Sequence, residues 1–130
     1  MDVSGVLPDT CAWIDFFRQQ RTQLGDLLEG FLDHEPVYAC GPVLCELLQG
    51  IRSEKEEALL LDALRALPYL EMTEQTWVEA GRLAARLRRG GKTLPFSDVL
   101  LAALAREHNL AILTADRHFA EIPDIAVTGL

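Results

Sequence analysis

The chain has 130 residues, 49% hydrophobic and 25% charged, which is the composition of an ordinary domain with a buried core. Its net charge of −8 argues against binding nucleic acid through a broad basic surface. No apolar run approaches the roughly 18–20 residues that span a bilayer. The start, Met1-Asp2-Val3-Ser4, lacks the basic and apolar parts of a secretion signal, so we expect one cytoplasmic domain over residues 1–130.

Short apolar segments alternate with helical ones along the whole chain. The pattern predicts strands at residues 3–8, 37–40, 69–72, 110–113 and 125–127. Helical spacing predicts helices at residues 10–20, 22–33, 41–50, 54–66, 74–89 and 97–108. Strands separated by helices indicate an α/β fold, with a mostly parallel central sheet and helices on both of its faces.

Residues at the ends of these segments are typical start and stop signals. Ser53 with Glu56 predicts a capping box for the fourth helix, and Thr73 a cap for the fifth. Gly90-Gly91 and Asn109 are expected to end the fifth and sixth helices, because both residue types adopt left-handed backbone conformations readily.

Four carboxylates follow or flank the predicted strands: Asp9, Glu46, Asp98 and Asp116. In parallel α/β sheets, ligands bind at the carboxyl ends of the strands, where the strand order reverses. Acids gathered there without basic partners repel one another and are costly to desolvate. We therefore expect them to hold a hard divalent cation such as Mg²⁺ or Mn²⁺.

Four segments carry a resemblance to a known family. They are Asp-Thr-Cys-Ala-Trp-Ile-Asp at 9–15, Pro-Val-Leu-Cys-Glu-Leu-Leu-Gln-Gly at 42–50, Ser-Asp-Val-Leu-Leu-Ala-Ala-Leu-Ala at 97–105 and Leu-Thr-Ala-Asp-Arg-His-Phe at 113–119. In this order and spacing the chain resembles the PIN-domain family, specifically the small VapC-type toxins of prokaryotic toxin–antitoxin pairs. The resemblance implies a three-layer sandwich around a parallel sheet of order 3-2-1-4-5. It also implies a homodimer that is neutralised by an antitoxin encoded beside it.

The resemblance further implies a metal-dependent endoribonuclease with an acidic quartet of Asp9, Glu46, Asp98 and Asp116. One or two Mg²⁺ or Mn²⁺ ions would activate a water to hydrolyse an RNA phosphodiester. We assign Asp9 and Asp98 as principal ligands, and Glu46 as a ligand or water-orienting base. Asp116 would act directly, through water, or on a second ion. Thr114 is the hydroxyl expected beside the acids; Thr10 and Thr114 either support the site or cap turns.

Several residues keep more than one interpretation. Arg82, Arg86 and Arg89 form one helical stripe, which is a solvated face, an RNA track or a dock for an acidic antitoxin. His118 either packs beside Phe119 or contacts RNA. Aromatic spacing in the first helix favours core or dimer packing over base stacking. The surplus of leucines in the fourth helix, at 59, 60, 61, 64 and 67, suits either a partner interface or burial between neighbouring elements.

The three cysteines show no CxxC pair, and we expect buried reduced thiols. Together with the histidines they do not match zinc-ligand spacing; the residues concerned are Cys11, Cys40, Cys45, His34, His108 and His118.

Two other functions stay open. A PIN-like module could serve only for binding, without catalysis. A phosphoacceptor signalling domain also gathers acids at strand ends, but it would need a late lysine near the site, and no lysine follows Lys92.

Overall fold

The protein is described by a computed structural model that covers residues 2–18 and 21–130. Its strands are β1 (Gly5–Pro8), β2 (Ala39–Cys40), β3 (Tyr69–Leu70), β4 (Leu110–Leu113) and β5 (Ala126–Thr128). Its helices are α1 (Thr10–Phe17), α2 (Gln23–His34), α3 (Gly41–Gln49), α4 (Glu54–Arg65), α5 (Glu74–Arg89) and α6 (Phe96–His108), with a short 3₁₀ helix at Arg117–Glu121. The alternation of strands and helices confirms the predicted α/β class.

All strand pairings are parallel, but they form two sheets, ordered β1-β4-β5 and β2-β3. A single bridge between Val6 and Val37 joins them. There the Val6 amide donates to the Pro36 carbonyl at 2.8 Å, and the Tyr38 amide donates to the Val6 carbonyl at 3.0 Å. Side by side, the strands thus lie in the order 3-2-1-4-5 that the resemblance implies. The implied single sheet is wrong, because the pairing is interrupted between β2 and β1. Pro36 has no amide hydrogen to extend the ladder.

Element boundaries differ from the predicted ones mainly at their ends. The helix predicted at 10–20 ends at Phe17, and residues 19 and 20 lie outside the described part of the chain. The strand predicted at 69–72 is only Tyr69–Leu70, and β5 lies one residue later than predicted. The 3₁₀ helix Arg117–Glu121 was not predicted, because five residues carry too few periodic positions.

Capping explains why α5 has the bounds that its sequence predicts. The side chains of Thr73 and Thr76 each accept from the other's backbone amide, both at 3.2 Å, which forms a reciprocal capping box. In α4 the box is only half formed: Ser53 accepts from the Glu56 amide, but the Glu56 carboxylate accepts from Arg52. The full capping box predicted at Ser53 is therefore wrong.

The core lies between the β1-β4-β5 sheet and the helices. Every residue of β1 and β4 is buried, because helices cover both sheet faces. Helix α6 contributes an unbroken buried segment, residues 99–105. Trp13 is 2% exposed and its ring contacts Phe16 edge-on at 5.7 Å, which confirms core packing for this aromatic. Among the residues described, no helix is both long and apolar enough to cross a membrane.

Strand pairing brings the ends of β1 and β4 to the same edge. Pro8 pairs with Leu113, and the Asp9 amide donates to the Leu113 carbonyl at 2.9 Å. On the far side of β4, the Thr114 amide donates to the Thr128 carbonyl at 3.0 Å. The residues that directly follow the two central strands are therefore fixed next to each other.

Candidate active site

Asp9 is the most enclosed of the four predicted acids, with only 8% of its surface exposed. One carboxylate oxygen, Oδ1, accepts from the Thr10 amide at 2.7 Å. The other, Oδ2, accepts from the buried Thr114 hydroxyl at 2.9 Å and from the Cys11 thiol at 3.5 Å. A carboxylate has about four acceptor positions, so these three donors leave room for one further partner.

Glu46 reaches the site from α3. Its Oε1 accepts from the Thr10 hydroxyl at 2.8 Å, which ties α3 to the residue that follows Asp9. Thr10 therefore contacts both acids, through its amide to Asp9 and through its hydroxyl to Glu46. Of the two roles predicted for Thr10, the contacts favour the supporting one.

Asp98 lies in the first turn of α6, half-buried. Burial is the largest influence on its carboxyl group; repulsion by Asp9, Asp116 and Glu46 follows, in that order. Together they raise the pKa of Asp98 from an ordinary value of 3.8 to about 6, although His118 acts in the opposite direction. Repulsion from all three other acids means that the fold gathers the four predicted carboxylates within electrostatic reach of one another.

Asp116 is positioned by the turn that follows β4. Its amide donates to the Thr114 hydroxyl at 2.9 Å, and its Oδ1 accepts from the His118 amide at 2.9 Å, capping the 3₁₀ helix. The same oxygen lies 2.9 Å from His118 Nδ1. The imidazole of His118 is exposed beside this acid, so the site contains one histidine at its outer edge.

Thr114 connects two of the acids. Its fully buried hydroxyl donates to Asp9 and accepts from the Asp116 amide. The hydroxyl expected beside the acids is therefore present, and its contacts extend beyond a turn cap.

Cys11 also belongs to this site, although the sequence predicted it only as one of three buried, reduced thiols. Its Sγ donates to Asp9 and lies 3.6 Å from the Thr114 hydroxyl. Burial raises the pKa of Cys11, so the thiol stays protonated and donates to the carboxylate. Its place two residues after Asp9, in the first turn of α1, was the available signal.

The donor set fits a hydrated divalent cation. Burial, as the largest cause, raises the pKa of Asp9 also, and repulsion by Glu46 adds to it. A cation would relieve this repulsion. Over residues 2–18 and 21–130, no three His, Cys, Asp or Glu side chains are arranged to hold one ion directly. Mg²⁺ needs fewer: it keeps several waters and takes one or two carboxylates.

The arginine stripe lies away from these contacts, on α5. Arg82 pairs with Glu79 at 2.9 Å, and its side chain is 67% exposed. Arg86 and Arg89 are exposed and form no ion pair with any residue that the structure describes. Within the described part of the chain, no ion pair joins these arginines to the four acids.

The expected burial of all three thiols is wrong for one of them. Cys40 is buried, which raises its pKa to about 11, and Cys11 is half-buried, but Cys45 is exposed. Cys45 lies next to Glu46 on α3, where it faces outward while Glu46 turns toward Thr10.

A family profile described as PIN domain matches residues 6–125. The chain belongs to the PIN domain family. The match covers the six helices, the four acids and the strands from β1 to β4 apart from Gly5, and it confirms the family that the four sequence segments resemble.

Named relatives within the PIN domain family are VapC ribonucleases. The chain is 33% identical over 120 residues to Ribonuclease VapC19 of Mycobacterium tuberculosis, covering 92% of this chain and 95% of that protein. It is 28% identical over 124 residues to Ribonuclease VapC11 of the same species, with 92% of each chain covered. The VapC-type resemblance is thereby confirmed.

Solved structures show the same PIN fold. VapBC2 from Rickettsia felis, bound to a promoter DNA fragment, superposes with a TM-score of 0.81 at 19% identity over 95% of this chain and 96% of that one. DNA-bound VapBC from Salmonella typhimurium gives 0.79 at 22% identity over 95% and 96%. These similarities support the α/β class with a parallel sheet between helices.

A first prediction concerns the buried hydroxyl of this PIN domain. Thr114→Val should lower the free energy of unfolding by about 1–3 kcal/mol, because the Asp9 carboxylate and the Asp116 amide each lose a partner. Chemical denaturation measures it. Thr114→Ser, which keeps the hydroxyl and loses only a methyl group, is the matched control. A Thr114→Val variant that is as stable as the wild type would show that the hydroxyl does not contribute to stability.

Proposed function

We propose that this PIN domain is the toxin of a toxin–antitoxin pair, a Mg²⁺- or Mn²⁺-dependent endoribonuclease that hydrolyses RNA phosphodiesters. The observation that carries the proposal is the gathering of four carboxylates at one edge of the sheet, where Thr10 and Thr114 connect Asp9 to Glu46 and Asp116 and where burial and the other acids raise the pKa of Asp98. Four carboxylates that destabilise one another's charge are suited to a cation and an anionic phosphate substrate. The similarity to VapC ribonucleases supports RNA as that substrate.

A bound divalent ion would supply activation of the attacking water and neutralisation of charge at the phosphate. Asp9 and Asp98 are the residues we assign to hold it. Asp9 is fixed in one orientation by Thr10, Thr114 and Cys11, so its remaining acceptor position has a defined direction. Asp98 comes from the start of α6 and is the acid most affected by the others.

The two other acids complete the proposed quartet. Glu46, oriented by the Thr10 hydroxyl, is placed to act as a ligand or to accept a proton from water. Asp116 acts directly, through water or on a second ion, and its Oδ1 is shared with His118. His118, exposed and held by Asp116, is available to contact RNA.

The proposed partners are a cognate antitoxin and a second copy of the chain, acting in the cytoplasm. Leu59 on α4 is 62% exposed, which accounts for part of the leucine surplus in that helix. Between α3 and α4 lies a groove of about 280 Å³, lined by Leu44, Leu61, Leu64, Leu67 and Tyr69 with Ala39 and Arg65. The groove is lined mainly by apolar side chains, and exposed apolar surfaces of this kind are typical of protein–protein interaction sites. It therefore suits an apolar segment of an antitoxin. The VapBC complexes of similar fold support such a partner.

Arg82, Arg86 and Arg89 are proposed as contacts for RNA phosphates or for acidic antitoxin residues. Their exposure suits either partner, and equally a solvated face. An Arg86→Gln/Arg89→Gln variant with weaker RNA binding and a shallower salt dependence would assign them to RNA.

The direct test is cleavage of total RNA by the purified chain. We expect endonucleolytic products with 5′-phosphate ends in Mg²⁺ or Mn²⁺, and none after EDTA treatment. Products carrying 2′,3′-cyclic phosphates, or cleavage unaffected by EDTA, would contradict the proposal. Absence of both cleavage and metal binding would favour the alternative, a PIN-like module that only binds.

A further inference from the structure

The two oxygens of the Asp9 carboxylate have unequal surroundings. Among the residues that the structure describes, Oδ2 accepts from the Thr114 hydroxyl at 2.9 Å and from the Cys11 thiol at 3.5 Å. Oδ1 accepts from the Thr10 amide alone, at 2.7 Å. Each carboxylate oxygen has about two acceptor positions. The protein therefore uses both positions of Oδ2, whereas Oδ1 keeps one position for another partner.

The single hydrogen of the Cys11 thiol goes to Asp9 and not to Thr114. The sulfur lies 3.5 Å from Asp9 Oδ2 and 3.6 Å from the Thr114 hydroxyl oxygen, so either contact is within reach. A charged acceptor forms the stronger hydrogen bond of the two. The Thr114 hydroxyl, moreover, already donates to Asp9 and accepts from the Asp116 amide. The thiol is thus the second donor to Oδ2.

The backbone keeps the thiol in this place. Cys11 lies in the first turn of α1, two residues after Asp9, which is the N-cap of that helix. The next two amides, of Ala12 and Trp13, donate to the Asp9 carbonyl at 3.1 and 3.4 Å. The side chain of Trp13 is buried, and Cys11 itself is half-buried against the core. The turn that carries the thiol is therefore fixed at Asp9 and in the core.

The number of Asp9 oxygens that can reach an ion matters differently to different divalent cations. Ca²⁺ takes about six to eight oxygen ligands and binds carboxylates through one or both oxygens. Mg²⁺ is smaller, needs near-octahedral geometry and keeps several of its waters, so one carboxylate oxygen satisfies it. A carboxylate whose second oxygen is covered by two donors offers only the first. Asp9 as it is held here therefore suits Mg²⁺ better than Ca²⁺.

We propose that Cys11 is a positioning residue that restricts Asp9 to one metal-binding oxygen, Oδ1, and thereby selects Mg²⁺ against Ca²⁺. This inference rests on the proposed metal-dependent function and adds the choice of ion to it. Thr114 covers the same oxygen, but its hydroxyl also holds the Asp116 amide. Cys11 is therefore the residue at which the choice of ion can be tested separately.

Metal affinity measured without RNA tests the selection. The probes are Mg²⁺ alone and Ca²⁺ alone, each titrated into the full chain by isothermal titration calorimetry. The quantity compared between variants is the Kd for Ca²⁺ divided by the Kd for Mg²⁺. Cys11→Ala removes the thiol donor and gives Ca²⁺ access to Oδ2. We expect the ratio to fall by about three- to tenfold, which is the equivalent of one hydrogen bond.

Three further variants separate the donor from the volume of the side chain. Cys11→Val fills a similar volume without donating and should lower the ratio as Cys11→Ala does. Cys11→Ser keeps a donor and should keep the wild-type ratio. Cys45→Ala is the matched control, because it removes an exposed thiol of α3 whose sulfur contacts Gln49. Thermal unfolding in EDTA identifies the variants that are folded before their ratios are compared.

Competition between the two ions gives a functional readout of the same choice. Ca²⁺ added to a cleavage reaction in Mg²⁺ should inhibit Cys11→Ala at about three- to tenfold lower concentration than it inhibits the wild type. A residue that only fills space would change the affinity for both ions together and leave this inhibition unchanged.

The pattern across the variants decides the role of Cys11. A lower ratio in Cys11→Ala and Cys11→Val, with wild-type ratios in Cys11→Ser and Cys45→Ala, supports it. An unchanged ratio in Cys11→Ala and Cys11→Val, or an equal fall in Cys11→Ser, overturns it. If the wild type binds Mg²⁺ and cleaves RNA while the ratio does not respond to Cys11, only the selection fails. If the wild type binds neither ion, the proposed function fails first and the role of Cys11 with it.

Discussion

Asp98→Asn should abolish metal-dependent RNA cleavage and at the same time stabilise the metal-free protein at neutral pH. The loss of cleavage should reach about a thousandfold, or about 4 kcal/mol, because the variant removes a charge assigned to hold the ion. The gain in stability follows from the pKa of about 6: the folded state holds this charge less favourably than the unfolded chain does.

The size of that gain is modest because Asp98 is only half-buried. Solvent screening reduces it, and loss of an acid at a helix start opposes it, which leaves about 1 kcal/mol. Thermal unfolding in EDTA and cleavage of a defined RNA measure the two effects. Asp62→Asn, which removes an exposed acid on α4, should change neither. Full cleavage by Asp98→Asn would remove this residue from the catalytic centre.

Stability of the metal-free protein should fall as the pH rises through about 6. The pKa of Asp98 is raised in the folded state, so its favourable contribution is complete below the unfolded value near 3.8 and is lost as the folded group ionises. The raised pKa of Asp9 has the same sign. Titrating Mg²⁺ or Mn²⁺ should reverse the loss at pH 7.5.

At a hundredfold excess over Kd the ion should add about 2.7 kcal/mol of stability, or roughly 8–12 °C in Tm. The increase should shrink at pH 5, where Asp98 is protonated in the folded protein, and should be smaller in Asp98→Asn at both pH values. Differential scanning fluorimetry measures it, with NaCl of equal ionic strength as control. An increase that is independent of pH and of Asp98 would mean that the ion binds elsewhere.

The sequence was sufficient for the class of fold and for the edge where the acids meet. Helix α5 has its predicted bounds because Thr73 caps its start and Gly90 ends it, both local effects. Asp9 directly follows a buried strand and Asp116 lies shortly after another, so parallel pairing of those strands alone brings them to one edge. The positions of Asp98 and Glu46 could not be predicted from strand pairing alone, because their helices must also pack beside that edge. The family resemblance indicated that they do.

Features that depend on tertiary packing could not be predicted from the sequence. The Glu56 carboxylate accepts from the backbone amide of Arg52 and not from that of Ser53. The sequence does not distinguish the two, because the side chain could reach either amide. The Trp77–Phe96 stack joins residues of different helices, and no local pattern links them. The contact of Cys11 with Asp9 and Thr114 depends on how α1 is set against β4. The interruption between the two sheets reflects the backbone amide hydrogen that Pro36 lacks.

The interruption between the two sheets runs through the candidate active site. Asp9 and Asp116 belong to the β1-β4-β5 half, whereas Glu46 is carried by α3, which leaves β2 on the other side. Across the interruption run the Val6–Val37 bridge and the Thr10–Glu46 hydrogen bond. Buried side chains of α3, Val43 and Leu47, join the common core across this boundary. The position of the Glu46 carboxylate relative to the other three acids therefore depends on side-chain packing of α3 and on the Thr10 hydroxyl, and not on continuous strand pairing.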